Sequence, residues 1–198
     1  MLLKALLGGV LAAGLDVLLL TVLNVERLGN TSLPLHQALF QAFCMAAMPE
    51  EFCKLVFLYL FIWKSQYFDE YYDGLEYAAC VGLGFAGLEN ILYVMQGGLG
   101  VAVSRALFAV PAHFFFAIFM GYFFALAKFR PSKKHFYLFL AFLIPVIMHG
   151  IYDFVLMYAE LIQGTDTITA SLLNLGFFIF FIFIWKRAKR RINNTVGQ

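Results

Sequence analysis

Charge is scarce in this sequence. Its 14 Lys and Arg and 12 Asp and Glu make up 13% of 198 residues, about half of the ~25% usual in soluble domains. With a hydrophobic content of 63%, that shortage excludes an ordinary water-soluble domain and implies a polytopic membrane protein. Polar linkers are missing as well. The longest polar stretch, Lys64–Gly74, is short and aromatic-rich, so residues 1–198 read as one integral-membrane domain. Cysteine is rare: Cys44, Cys53 and Cys80 are odd in number and lie in apolar runs, which excludes a disulfide framework. No internal repeat is visible, which weighs against a transporter built on inverted repeats. The ~10-residue alternating segments of a membrane β-barrel are absent. Basic residues gather beside apolar runs, where membrane orientation explains them, and nothing supports nucleic-acid binding.

What the chain does have is long apolar segments. Leu2–Val25, Leu35–Trp63, Leu75–Met95, Val101–Phe129, Phe136–Tyr158 and Ile168–Trp185 each approach the ~20 residues that cross about 30 Å of hydrocarbon. Helices satisfy their own backbone hydrogen bonds in lipid. The expected fold is therefore all-α, a transmembrane helix bundle of about six spans. Lys and Arg set its orientation. Lys4, Lys64, the Lys128–His135 loop (Lys128, Arg130, Lys133, Lys134) and the basic tail 186–198 fall on one side if both termini are cytoplasmic. Only Arg27 then lies opposite, with Lys54 and Arg105 inside spans. The first segment has some features of a signal peptide, with Lys4 ahead of an apolar run and Ala12-Ala13-Gly14. Asp16 and the further apolar run to Leu23 argue against cleavage there.

One stretch conflicts with its surroundings. Met48-Pro49-Glu50-Glu51-Phe52-Cys53-Lys54-Leu55 puts two carboxylates and an amine near the middle of the second span. A charge at that depth costs roughly 2.5–3.5 kcal/mol on insertion scales, so such residues face a polar interior and mark functional sites. Lys54 is three or four residues beyond the glutamates and can reach either one. An ion pair that merely orients the helix leaves one carboxylate over.

Other polar groups reach similar depth on other spans. Phe85 and Glu89 share a helical face, with Asn90 adjacent; taken alone, Glu89 could be a helix–helix hydrogen bond. His113 follows Pro111, which can loosen a membrane helix and free a carbonyl. His149 and Asp153 are spaced i, i+4 and can bind one ion or form an orienting pair. Asp16 has no evident partner and reads as packing or interfacial, while His36 and His135 read as solvated. Gly82-Leu83-Gly84-Phe85-Ala86-Gly87 matches the dinucleotide-binding G-x-G-x-x-G literally, but lies inside a span without a βαβ context. Close helix packing explains these glycines better. Glu50, Glu51, Glu89 and Asp153 outnumber Lys54 and Arg105 by two charges, which a bound dication or protonated carboxylates would balance.

Glu-Glu-x-x-Lys at 50–54, Phe-x-x-x-Glu at 85–89, the isolated His113 and His-x-x-x-Asp at 149–153 occur in that order on four successive spans. The ordered set, over about residues 40–160, resembles the PrsW family of intramembrane proteases. That family is related to CAAX prenyl-endopeptidases and bacteriocin-immunity membrane proteins. The prenyl-processing relatives carry histidine at the second motif and asparagine at the last position, where this chain has Glu89 and Asp153. The resemblance implies a site-1-type protease of a bacterial or archaeal cell membrane. Its substrate would be a membrane-anchored protein such as an anti-sigma factor, cut near the outer surface. Glu50, Glu51 and Lys54 are then the expected catalytic residues, with Glu50 as base and Glu51 held by Lys54; the 100° between neighbouring helical positions leaves open which glutamate is the base. Glu89, His113, His149 and Asp153 are the expected ligands of a divalent metal, with zinc the metal expected, or they hold the water and oxyanion directly. A carboxylate base and a metal-bound water both suit peptide hydrolysis. An ion- or proton-coupled transporter and a non-catalytic scaffold are the competing readings.

Overall fold

Helices form wherever the sequence supplies an apolar run, and among the described residues there is no strand. The computed structural model describes residues 1–23 and 33–196; Arg27, expected alone on its side, lies outside them. Helix α1 spans Leu2–Leu23. The short α2 (Pro34–Leu39) runs through a π-helical stretch, Phe40–Ala47, directly into α3 (Met48–Ile62). Then come α4 (Tyr71–Leu107), α5 (Ala109–Phe129), a 3-10 turn at Pro131–Lys133, α6 (Lys134–Ile162) and α7 (Thr167–Val196). By length and composition, Leu2–Val22, Tyr71–Phe129 and Pro131–Ile162 suffice to cross a membrane, and Thr167–Ile179 is a shorter apolar helix.

Two boundaries differ from those expected. The third segment does not stop at Met95: α4 continues to Leu107, interrupted at Gly98 (φ 74, ψ −166), a conformation essentially confined to glycine. The turn between antiparallel helices comes at Phe108, so Arg105 belongs to the end of α4 and not to the helix carrying His113. Pro111 accordingly sits in the first turn of α5, where its missing N–H costs no intrahelical bond. It does not loosen that helix.

Small residues bring the helices together. A Cβ on Gly82 would stand 2.6 Å from the Ala117 Cβ, and one on Gly74 2.7 Å from the Ala125 Cβ. Those pairings run in opposite senses, giving an antiparallel α4–α5 seam of the small-residue kind that membrane helices use. Gly9 and Gly84 bring the backbones of α1 and α4 into direct contact. Of the glycine triplet, Gly82 and Gly84 are packing residues as expected, whereas Gly87 has nothing within 4 Å of its Cβ position. Along α1, Ala5 clusters with Ile62, Phe68 and Tyr77, and Ala12 and Ala13 cluster with Cys53 and Phe85. Helix α1 is thus antiparallel to α3 and parallel to α4.

Polarity is inverted relative to a soluble protein. Leu3, Leu7, Leu18, Val22, Leu172 and Ile179 are exposed, while Asp16, Glu50, Glu51, Lys54, His113 and His149 are buried. His36 and His135 are exposed. Lys128 donates to the Trp63 carbonyl (2.6 Å), Lys134 lies over the Trp63 ring and Lys4 over Phe61. These three bases therefore share one end of the bundle.

Candidate active site

The second apolar segment is not a uniform α-helix, and that irregularity lies just ahead of its charges. Pro49 has no N–H to give, and the Met48 N–H bonds Phe43 O, five residues back. Such i→i−5 turns advance the chain by less than the ~100° of an α-helical residue, which resets the direction in which the following glutamates point. Phe43, within the π stretch, packs its ring on Gly150 of α6. The glutamate pair is thereby set against the helix carrying His149.

The motif residues of four helices meet in one network. On α3, Lys54 Nζ donates to Glu51 Oε1 at 2.7 Å and lies 3.4 Å from Glu50 Oε2. It also bonds His113 Nδ1 of α5 at 2.9 Å. His113 Nε2 meets Glu89 Oε2 of α4 at 2.8 Å. On α6, His149 Nδ1 meets Glu51 Oε1 at 2.9 Å, and its Nε2 meets Asp153 Oδ2 at 3.1 Å. The network assigns the His113 tautomer: Nε2–H donates to Glu89, leaving the Nδ1 lone pair for the Lys54 ammonium. Both imidazoles thus turn Nδ1 toward the glutamate pair and Nε2 toward an outer carboxylate. Protein metal sites commonly use this arrangement to fix a ligating histidine.

Burial separates the two glutamates. Glu51 has no exposed surface, while Glu50 lines a cavity of about 590 Å³ and is 7% exposed. The cavity lining mixes polar groups, Glu50, Glu89, Arg105, His113, His149 and Asp153, with apolar ones including Phe108, Leu156, Phe177 and Phe116, whose ring stacks on His149.

One donor atom from each of Glu50, Glu51, His113 and His149 lies within 4.8 Å of the others. Two imidazoles and two carboxylates suit a divalent ion of the zinc type. Glu51 Oε2 is buried without a hydrogen-bond partner among the described residues, which an ion would supply. The residues present therefore fit a dication. Glu89 and Asp153, also expected as ligands, stand one hydrogen bond further out, each on the far nitrogen of a histidine.

Two residues gain a place that sequence reasoning does not assign. Arg105 Nη2 bonds Glu89 Oε1 at 2.8 Å, and its guanidinium lies 3.9 Å over the Tyr93 ring. The need of a cation at membrane depth for a carboxylate is the signal that pairs it with Glu89. Asp16 is buried at 6% exposure, in line with the packing half of its reading.

The PrsW family, described as intramembrane metalloproteases, matches residues 1–185. Among curated relatives, the chain is similar to the Geobacillus kaustophilus Protease PrsW, 38% identical over 159 residues (79% of this chain, 65% of that protein). The Oceanobacillus iheyensis Protease PrsW is 34% identical over 180 residues (91% of this chain, 80% of that protein). The Bacillus subtilis Protease PrsW is 38% identical over 136 residues (68% and 60%). The match thus spans just under two thirds of the Geobacillus protein and three fifths of the Bacillus one. No solved structure gives a significant match.

Proposed function

The chain belongs to the PrsW family of intramembrane metalloproteases, and from that premise we propose that it is an endopeptidase hydrolysing a peptide bond of a membrane-anchored protein. One observation carries the reading. Of two adjacent glutamates, only Glu50 lines the cavity, while Glu51 is enclosed and bonded to Lys54 and His149. This is the division expected of a base that must reach substrate and a partner that must hold still.

In this mechanism Glu50 takes a proton from the attacking water and delivers it to the leaving amine. His113 Nδ1, His149 Nδ1 and Glu51 would hold a divalent ion, zinc in this proposal, which lowers the pKa of its water toward ~7 and polarises the scissile carbonyl. Glu89 and Asp153 hold Nε2 of the two histidines, so that Nδ1 of each is turned toward the glutamate pair. Arg105, which also lines the cavity, fixes Glu89, and the apolar lining residues Phe108, Leu156 and Phe177 would receive an apolar side chain of the substrate. The full reading is a bundle of about six spans in a bacterial cell membrane, both termini cytoplasmic. Its substrate is an anti-sigma-factor-like protein cut near the outer surface.

The test is reconstitution in liposomes with a membrane-anchored reporter. Wild type should cut it, a chelator should stop cleavage and added Zn²⁺ should restore it. His149→Ala should be inactive while still folded. Cleavage that survives both chelation and His149→Ala defeats the proposal; ion flux without any cleavage would point to transport instead.

A further inference from the structure

The position of Lys54 is at odds with a bound ion. Its ammonium touches Glu51 Oε1 and His113 Nδ1 and lies 3.4 Å from Glu50 Oε2. These are three of the four residues whose donor atoms converge, so the ammonium fills the place a shared cation would take. A dication and an ammonium at such separations repel strongly. Binding the ion therefore requires Lys54 to leave, and a lysine at this depth can leave only toward another anion.

The fold supplies one. Asp16 on α1 is buried, and its Oδ1 has no hydrogen-bond partner among the described residues. It lies one helical turn beyond Ala12 and Ala13, which pack in one cluster with Phe85 and with Cys53, the chain neighbour of Lys54. The Phe85 ring, of that same cluster, carries the Lys54 ammonium on its face, 4.1 Å from the centroid, in a cation–π contact.

We propose that Lys54 is a movable counter-ion, holding the donor cluster together without a dication and swinging across the Phe85 face to Asp16 when one binds. The idea rests on reading Glu51, His113 and His149 as a metal centre. It makes Asp16 a positioning residue that acts through Lys54, and it gives α1 a part in the site.

The experiment titrates the purified full-length protein in micelles with Zn²⁺ by calorimetry and with Co²⁺ by its d–d absorption. Wild type is compared with Asp16→Asn, Lys54→Met and the double variant. Lys54→Met removes the competitor, and Kd should fall about tenfold or more. Asp16→Asn removes the refuge, and Kd should rise about tenfold or more. In the Lys54→Met background Asp16→Asn should change nothing, because its effect passes through Lys54. Equal effects of Asp16→Asn with and without Lys54 overturn the proposal. Weaker binding by folded Lys54→Met overturns it too, as does the absence of metal binding throughout. If Lys54→Met does not fold, wild type against Asp16→Asn decides alone, an unchanged Kd being refutation. Cleavage is not read, so normal metal binding without proteolysis would count against the protease reading only.

Discussion

Changing Glu50 to Gln keeps the shape of the side chain and removes its basicity. The contacts it forfeits are slight: 3.4 Å to Lys54 Nζ and 4.0 Å to His113 Nδ1, both long for a hydrogen bond. Lys54 keeps its 2.7 Å bond to Glu51. Stability should therefore change by no more than about 1 kcal/mol. Loss of a general base, by contrast, removes about 10²–10⁴ in rate. Glu51→Gln should behave differently. Glu51 is fully enclosed and meets Lys54 at 2.7 Å and His149 at 2.9 Å, and removing one partner of a buried pair costs about 3–5 kcal/mol. Initial cleavage rates in liposomes and thermal unfolding in micelles separate the two variants. Glu50→Gln should lose activity with its Tm nearly unchanged, while Glu51→Gln should lose both. A Glu50→Gln protein that cleaves within about tenfold of wild type, or melts as low as Glu51→Gln, refutes the assignment.

Asp153→Asn weakens the support of His149 Nε2 and should lower metal affinity or cleavage by about 10–100-fold, read by calorimetry and rate. Gly82→Val pushes a side chain against Ala117 and the His113 carbonyl; it should cost about 1–3 kcal/mol and reduce cleavage by moving α5 away from Glu89. Gly87→Ala, with open space around its Cβ, should melt no lower than wild type, since alanine is the better helix former. Gly98→Ala, at φ 74, should lose about 1–3 kcal/mol of stability, measured by chemical unfolding.

Much of the site is legible along the chain because charge inside a membrane is expensive. Glu50, Glu51, Lys54, Glu89, His113, His149 and Asp153 stand out against apolar surroundings, and the partners available within one span, Lys54 for the glutamates and Asp153 for His149, leave polar groups over for other spans to meet. The structure joins all seven through contacts of 2.7–3.4 Å. Arg105 and Asp16 stand out for the same reason. Their placement, however, depends on the break at Gly98 and on the face of α1 turned inward, neither of which follows from composition.

The sequence by itself determined that this is a helical membrane protein whose polar residues, in PrsW order, must converge. Hydropathy and the cost of unpaired charge act on the chain locally, so they can be read from it. Only the tertiary structure decided which glutamate lines the cavity, which atoms of the histidines face inward, and that the Lys54 ammonium sits among the donors. Those answers depend on helix rotation. The π stretch at Phe40–Ala47, the seating of Phe43 on Gly150 and the close glycine contacts of α4 set that rotation. The last two are products of packing between segments far apart in the chain.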